Sequence, residues 1–423
     1  MRVNIGLEEA LQEILNKVNV LSTETVPFME ALGRVVAEDI IVDHNLPEST
    51  QAAVDGFALA GEVSSGQQQF LVKGRLGPGD IPKFSLSPGE AVGVVTGGFI
   101  PPGTTAVIPG ERVTLAGEYI TTRGRIAAGS NLKQPGEDFT VGETVVRKGH
   151  RVTPGMIGLM AALGIAEVQV FRRPRIAILS LGPQIIPYYE MPVDGQLRDS
   201  NGPLLAALVT RDGGQVNAVE VVGSGSNRSV SSVLMELLSE ADLVITNGGT
   251  YSSGNGEAVQ LFKEIGAEIL FWTMPLKPGG HPGAAVWNSK LLVSLSGNPA
   301  GCTVGYELLV APVLAYLQGL DPYPYRVMAI CNDDYQKTGG PRRFVRGHAS
   351  CNQDGWSVTV LPGQKPSMLR SLLYCNALID LPAGHPPLKA GAEVPILLLT
   401  SNTGNYTVNR DTDGNEAVLA ARR

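Results

Sequence analysis

The spacing of apolar and polar residues changes character along the chain, and each change predicts a different kind of element. Near the N-terminus Leu7, Leu11, Ile14, Leu15 and Val18 fall on one face at helical spacing, predicting an amphipathic helix over 7–18. TVPFMEALGRVVAEDI predicts a second short helix ending near Gly33, and IIVDHNLPEST predicts a strand that enters a loop at Pro47. From Leu46 to Glu143 short alternating strands are punctuated by LGPGD, LSPGE, GGFIPPGTT, IPGE and QPGED, which predicts a small β-rich module. Next comes VVRKGHRVTPGMIGLMAALGIAEVQVFRRP. It predicts a helix capped by Thr153, with Pro154 in its first turn and Gly164 at its end, then a strand, AEVQVF.

Between Arg173 and Gln318 the pattern becomes one of continuous apolar runs. Ile176–Leu179, Leu243–Ile245 and Leu291–Leu295 suit strands buried on both faces of a parallel sheet. Each stops at a glycine-containing loop. Helical patterns alternate with them: DSNGPLLAALVTRDGG with Ser200 or Asn201 as its cap, SVSSVLMELLSEA, GEAVQLFKEIGA and the closing CTVGYELLVAPVLAYLQGL. Strands alternating with helices predict a doubly wound α/β domain. In such sheets ligands sit beyond the carboxyl ends of the strands, so a phosphate- or nucleotide-bearing ligand is expected across these loops. After Pro322 the runs YRVMAICNDDY, RRFVRGHASC, WSVTVLP, NALIDLP and AEVPILLLT predict a small barrel or sandwich, and from Ser401 the chain is a polar tail.

Composition narrows the classes. With 423 residues, 43% hydrophobic and 17% charged, the chain predicts several packed domains of a soluble protein. A net charge of −7 argues against nucleic acid, whose phosphates require clustered Lys and Arg. Cys302, Cys331, Cys351 and Cys375 are far apart with no CxxC spacing, which predicts neither zinc nor disulfides and fits a reducing cytoplasm. The N-terminus carries acids inside a helical pattern, unlike a signal peptide, and no membrane partner is expected.

Several stretches together resemble the molybdopterin molybdotransferase family of the MoeA and gephyrin E-domain type. LPESTQAAVDGFALAG is similar to that family's LPPFDNSAMDGYAVR loop, and VVTGGFIPPGTTAVIPGE to its TGAPVPEGADAVVMVE segment. NLKQPGEDFTVGETVVRKGHRVTPGMIGLMAALGIAEVQVFRRPRIAILS, VITNGGTYSSG, LKPG and LSGNPAG extend the match over residues 7 to 400. The resemblance implies a multidomain α/β plus β fold. An elongated module comprises 1–45 with 141–172, an inserted β-rich module 46–140 and a MogA-like molybdopterin-binding α/β domain 173–325. A C-terminal β-barrel covers 326–402, and a polar tail 403–423. It further implies a homodimer that uses adenylylated molybdopterin and molybdate, releases AMP and needs Mg2+. A MogA-type adenylyltransferase is the implied partner.

Residue types fit that chemistry. A pyrophosphate favours close backbone approach at glycine turns and helix starts, which Gly248, Gly249, Gly297, Asn298 and Pro299 offer. By resemblance Ser252 and Asp199 also bind the cofactor. Glu257 matches an acidic residue after the family's SGG loop and is the implied metal ligand. Arg346 and Ser367 in the barrel, with Lys277 of LKPG, match positions that serve the oxyanion. Asp55, Asp138 and Thr96 match the inserted module's catalytic positions. Plain alternatives stand beside these. Asp55 and Asp138 lie in turns that Asp favours, Arg346 is one of a run of arginines, and Asn298 can cap the next helix. His281 has no second histidine nearby and is not expected to ligate a metal.

The sequence also departs from the family at ligand-facing loops. The family's STGDEL is SLGPQI here, with Leu181, Pro183 and Gln184; SGG is NGG, with Asn247; KPGKP is KPGGHP, with Gly280; and GNPVS is GNPAG, with Gly301. Gln184 carries no charge to a cation. A working molybdotransferase is expected beside two alternatives: a molybdopterin- or nucleotide-binding paralogue with an altered site and little or no insertase activity, and a related enzyme acting on another anion, such as tungstate, or on another nucleotide conjugate.

Overall fold

The computed structural model describes residues 2–61, 67–223, 228–250 and 256–399. The chain divides into two compact units, one built from residues up to 24, 33–35 and 170 onward, the other from 25–32 and 36–169.

In the first unit the three apolar runs form the middle of a seven-stranded sheet. Its order is Arg2–Val3, Glu268–Trp272, Gly283–Trp287, Lys290–Leu295, Leu243–Asn247, Arg175–Leu181 and Gln215–Val222. Ile176 stands opposite Leu243, and Leu243 opposite Leu291, in parallel register. Alternate residues feed two cores. Ile176, Ile178, Ile245 and Val293 pack on one face with Leu205 and Val209 of the helix Asn201–Arg211. Ala177, Leu179, Val244 and Leu292 pack on the other with the helices Val230–Glu240 and Glu257–Glu264. Burial on both faces is why these strands read as continuous apolar runs. Gly283–Trp287 runs antiparallel to both its neighbours: it returns as Lys290–Leu295 through Asn288 and Ser289, both at positive φ, the hairpin conformation that matches strand twist.

Two expectations near the N-terminus change. The first helix runs Leu7–Leu15, three residues shorter than its pattern. It buries Leu7, Leu11, Ile14 and Leu15 against the α/β core, and Arg2–Val3 adds an edge strand beside Phe271 and Trp272. Residues 2–24, read above as part of an elongated module with 141–172, thus pack in the α/β unit, because their apolar stripe needs that core.

The closing helix Pro299–Leu317 runs through a π-helical turn at Tyr306–Val310. Nineteen residues long, it is apolar enough to cross a bilayer, but 83% of that window is buried, as in a core helix.

The C-terminal strands Arg326–Cys331, Gly355–Val360, Arg342–Asn352, Ala377–Leu381 and Glu393–Leu398 close into a five-stranded barrel, the last pairing with the first. Val345, Val358, Ile379 and Ile396 fill it. The short strand Leu276–Lys277 pairs with Arg342–Arg343, tying a loop of the α/β domain to the barrel. Residues 400–402 and the polar tail 403–423 lie outside the described residues.

The second unit carries a six-stranded sheet ordered Ala106–Pro109, Gly56–Leu59, Glu90–Val94, Gln67–Arg75, Tyr119–Arg123 and Val113–Ala116. Its helix Pro154–Ala162 starts as predicted, with Thr153 accepting a hydrogen bond from the Met156 amide at 3.4 Å and Gly164 at φ 68° beyond its end. The helix expected from TVPFMEALGRVVAEDI is only a 3-10 turn over Phe28–Ala31. Between Pro27 and a left-handed Gly33 too few residues remain to offset helix nucleation.

Candidate functional site

A cleft of about 850 Å³ opens in the first unit between the α/β loops and the barrel. Lys277, His281, Lys337, Arg343 and Arg346 line it, and among the described residues no aspartate or glutamate does. In a chain of net charge −7 this concentrates positive charge at one place, an anion-binding field. Asn298 and Ser296 bring the start of the closing helix to the same cleft. The barrel loop is fastened there by the Ala300 amide donating to the Pro366 carbonyl at 3.0 Å.

Arg346 is 1% exposed. Its Nε donates to Ser371 Oγ at 3.0 Å and an Nη to the Gly363 carbonyl at 3.2 Å. Burial holds its guanidinium below the ordinary arginine pKa, and its described partners are neutral. A buried arginine without a carboxylate partner is costly unless an anion completes it. Arg346 is therefore more than a solvated strand residue. Ser367, expected beside it, is exposed; its neighbour Pro366 lines the cleft, and the serine bonded to Arg346 is Ser371. Nothing in the local sequence singles out Ser371, twenty-five residues downstream. Lys277 is exposed on the cleft, with no hydrogen-bond or ion-pair partner among the described residues.

The glycine turns meet as expected of a crevice at strand ends. Gly248 has φ 86°, and a Cβ there would lie 2.2 Å from the Leu181 carbonyl. A Cβ on Gly297 would lie 3.2 Å from Gly248 Cα, so the turns after two neighbouring strands are stacked backbone to backbone. Glu257, exposed at the first position of its helix, touches Gly249, whose added Cβ would lie 3.4 Å from Glu257 Oε2. Ser252 lies outside the described residues.

Asp199 has a different place from the one expected. It is 5% exposed and accepts hydrogen bonds from Ser180 Oγ at 2.7 Å and from the amides of Asn201 and Gly202 at 3.0 Å each. Asp199, rather than Ser200 or Asn201, caps the helix Asn201–Arg211 with its side chain. Asn247 extends this network by donating to Ser180 Oγ at 2.8 Å, and Asn201 Nδ2 donates to Asn247 Oδ1 at 3.3 Å and to the Gly297 carbonyl at 2.9 Å. The asparagine at 247 thus ties three strand-end loops together beneath the crevice.

The departure at Gly301 has a packing reason. A Cβ on Gly279 would lie 2.6 Å from the Gly301 carbonyl, and one on Gly301 would lie 3.0 Å from Gly279 Cα. The KPGG loop packs directly on the closing helix, and that contact exists because neither residue has a side chain. Gly280 is as tight, with a Cβ 2.5 Å from the Leu276 carbonyl.

In the second unit, Asp55 and Thr96 come together. The Thr96 amide and hydroxyl both donate to Asp55 Oδ1, at 2.6 and 2.8 Å. The amide first, then the hydroxyl, hold the exposed Asp55 carboxyl below the ordinary aspartate pKa. Asp138 is exposed and lines a separate cleft of about 840 Å³ with His44, Pro47, Glu48, Lys133 and Glu137. Neither Asp55 nor Thr96 lines that cleft. Among the described residues no cluster of three or more His, Cys, Asp or Glu is arranged for a metal ion.

Comparison with known proteins gives three family matches along the chain. Residues 5–164 match the MoeA N-terminal region (domain I and II), 177–316 a probable molybdopterin binding domain and 328–399 the MoeA C-terminal region (domain IV). The molybdopterin molybdenumtransferase of Staphylococcus aureus strain MRSA252 is 30% identical over 404 residues, spanning 94% of this chain and 96% of that one. That of Staphylococcus epidermidis strain ATCC 35984 is 31% identical over 408 residues, spanning 95% and 97%. The crystal structure of the molybdopterin biosynthesis moeA protein from Pyrococcus horikoshii OT3 superposes with a TM-score of 0.78 at 29% identity, covering 93% of this chain and all of that one.

Proposed function

The chain belongs to the molybdopterin molybdenumtransferase family, and from that premise we propose that it inserts molybdate into adenylylated molybdopterin with release of AMP. The observation that carries this is the acid-free cationic cleft beside the stacked glycine turns. Molybdate is a dianionic oxyanion substrate, and Lys277 and Arg346 supply the charge it needs. The Gly248, Gly249 and Gly297 turns let the pyrophosphate of the nucleotide conjugate approach the backbone, with Asn298 and Pro299 opening the adjoining helix. By their match to the family's motifs, Ser367 is assigned to the oxyanion and Ser252 to the conjugate.

Mg2+ is the proposed cofactor. It needs only one or two carboxylates when phosphates complete its shell, and Glu257 beside Gly249 offers one; Asp199 is engaged by its three donors. Bound there, the ion would neutralise charge on the phosphates. Asp55, held ionised by Thr96, and Asp138 belong to the inserted module and act on the conjugate from a second subunit of a homodimer. Four free thiols suit a cytoplasmic location, and a MogA-type adenylyltransferase is the expected source of the conjugate.

The fitted contacts at Gly280 and Gly301 and the network around Asn247 support a working enzyme over an inactive paralogue, because these departures are packed rather than left as gaps. The test incubates the purified chain with adenylylated molybdopterin, sodium molybdate and magnesium chloride and follows AMP. Molybdate-dependent AMP release is expected. Binding of the conjugate with no AMP above background would overturn the reading.

A further inference from the structure

The cleft holds more cations than the proposed molybdate contacts at Lys277 and Arg346 use: Lys337 and Arg343 also line it. Arg343 lies opposite Lys277 in the parallel pairing of Leu276–Lys277 with Arg342–Arg343. Residues paired this way project to the same face of the sheet, so two positive side chains stand next to each other on the cleft wall. Like charges at paired positions destabilise a sheet unless something between them is negative. The neighbouring Arg342 has such partners: it bonds Asp380 at 2.7 Å and Glu8 at 2.7 Å. Arg343 has no acidic partner among the described residues. It lies beside the Tyr335 hydroxyl, and its Nε is buried without any acceptor. A buried N–H donor left open at the wall of an acid-free cleft is a vacancy for an acceptor oxygen.

We infer that Arg343 is an oxyanion-binding residue, acting with Lys277 on a doubly charged tetrahedral anion. This rests on the function proposed above and names a further cation at that site beside Lys277 and Arg346. Gly280 cannot supply it, since any side chain there meets the Leu276 carbonyl. Charge from the barrel wall therefore does what charge from the loop does not, and the anion is clamped from both strands of one pair. The site discriminates by charge: a dianion compensates more of the positive charge of Lys277, Arg343 and Arg346 than a monoanion of the same shape.

Calorimetric titration of the full chain with sodium molybdate alone, and with sodium perrhenate as the tetrahedral monoanion, tests this. Arg343→Gln is expected to weaken molybdate binding about 10- to 100-fold, the effect of losing a charge-assisted hydrogen bond. The same variant should narrow the preference for molybdate over perrhenate, and Arg343→Lys should restore much of it. In turnover, Arg343→Gln should raise the KM for molybdate and leave that for adenylylated molybdopterin unchanged. If Arg343→Gln binds molybdate as the wild type does while Lys277→Ala loses it, Arg343 is not a ligand and the inference falls, the proposed site standing. A wild type that binds no molybdate overturns the proposed site and the inference together. Should Arg343→Gln melt at a lower temperature, Arg343→Lys decides. Charge retained with affinity lost as fully as in Arg343→Gln would mark a structural role and overturn the inference.

Discussion

Thr96 donates both its backbone amide and its hydroxyl to a single carboxylate oxygen of Asp55, across forty-one residues of sequence. Both donors favour the ionised form, so Asp55 stays charged below the usual aspartate range.

Asp55→Ala is expected to abolish AMP release with an unchanged melting temperature, because the side chain is exposed. Thr96→Ala should leave activity at neutral pH and move the acid limb of the pH–rate profile upward, since the hydroxyl no longer favours the charged form. Unchanged turnover in Asp55→Ala would remove the inserted module from the site.

Restoring a side chain at the departing glycines should harm the fold. Gly280→Lys places a Cβ 2.5 Å from the Leu276 carbonyl, and Gly301→Ser places one 3.0 Å from Gly279 Cα. Each is expected to cost about 1–3 kcal/mol, the range for overpacking. Urea unfolding measures the loss, and molybdate titration should show no gain in affinity from the added lysine.

Arg211 bonds Glu307 bidentately at 2.8 and 3.0 Å and also holds Asp212, while Tyr306 donates to Asp212 at 2.8 Å. This cluster joins the end of the helix Asn201–Arg211 to the π-helical turn. Arg211→Met leaves two carboxylates uncompensated and should cost about 3–5 kcal/mol. Adding Glu307→Gln to it should recover part of that loss in a double-mutant cycle. A loss in Arg211→Met below 1 kcal/mol would show that the pair is not coupled.

Asp242 shows a pH dependence with a definite sign. Burial by itself would raise its pKa, but hydrogen bonds from Arg172 at 2.7 and 2.8 Å and from the Arg175 amide at 2.8 Å outweigh it, and the carboxyl titrates below its ordinary range. Its folded pKa being depressed, its contribution is present above the unfolded value and lost as pH falls through the folded one. Asp242→Asn should therefore destabilise the first unit at neutral pH by about 2 kcal/mol, and the difference from wild type should shrink in acid. Thermal melting of both proteins across that range checks the sign.

The order of elements was legible in the sequence because it depends on local periodicity. Strands buried on both faces need continuous apolar runs, and Ile176–Leu179, Leu243–Ile245 and Leu291–Leu295 show them without ambiguity. Thr153-Pro154 and Gly164 marked a helix because capping chemistry is also local. Phe28–Ala31 misled because its helical spacing says nothing of the residues bracketing it. The glycine turns and Asp55–Thr96 were found through motif resemblance, which locates residues but not their partners.

What only the tertiary structure decided is how charges and close contacts are shared among distant segments. Asp199 reads as a ligand in the sequence and is a buried cap in the fold. Arg346 reads as one arginine of a run, and burial beside Ser371 sets it apart. Gly301 reads as a lost functional group, yet its backbone packs against that of Gly279. Arg343 carried no signal of its own, since its importance comes from standing opposite Lys277 with no acid near. Periodicity is a property of neighbours along the chain, whereas compensation of charge and volume belongs to neighbours in space.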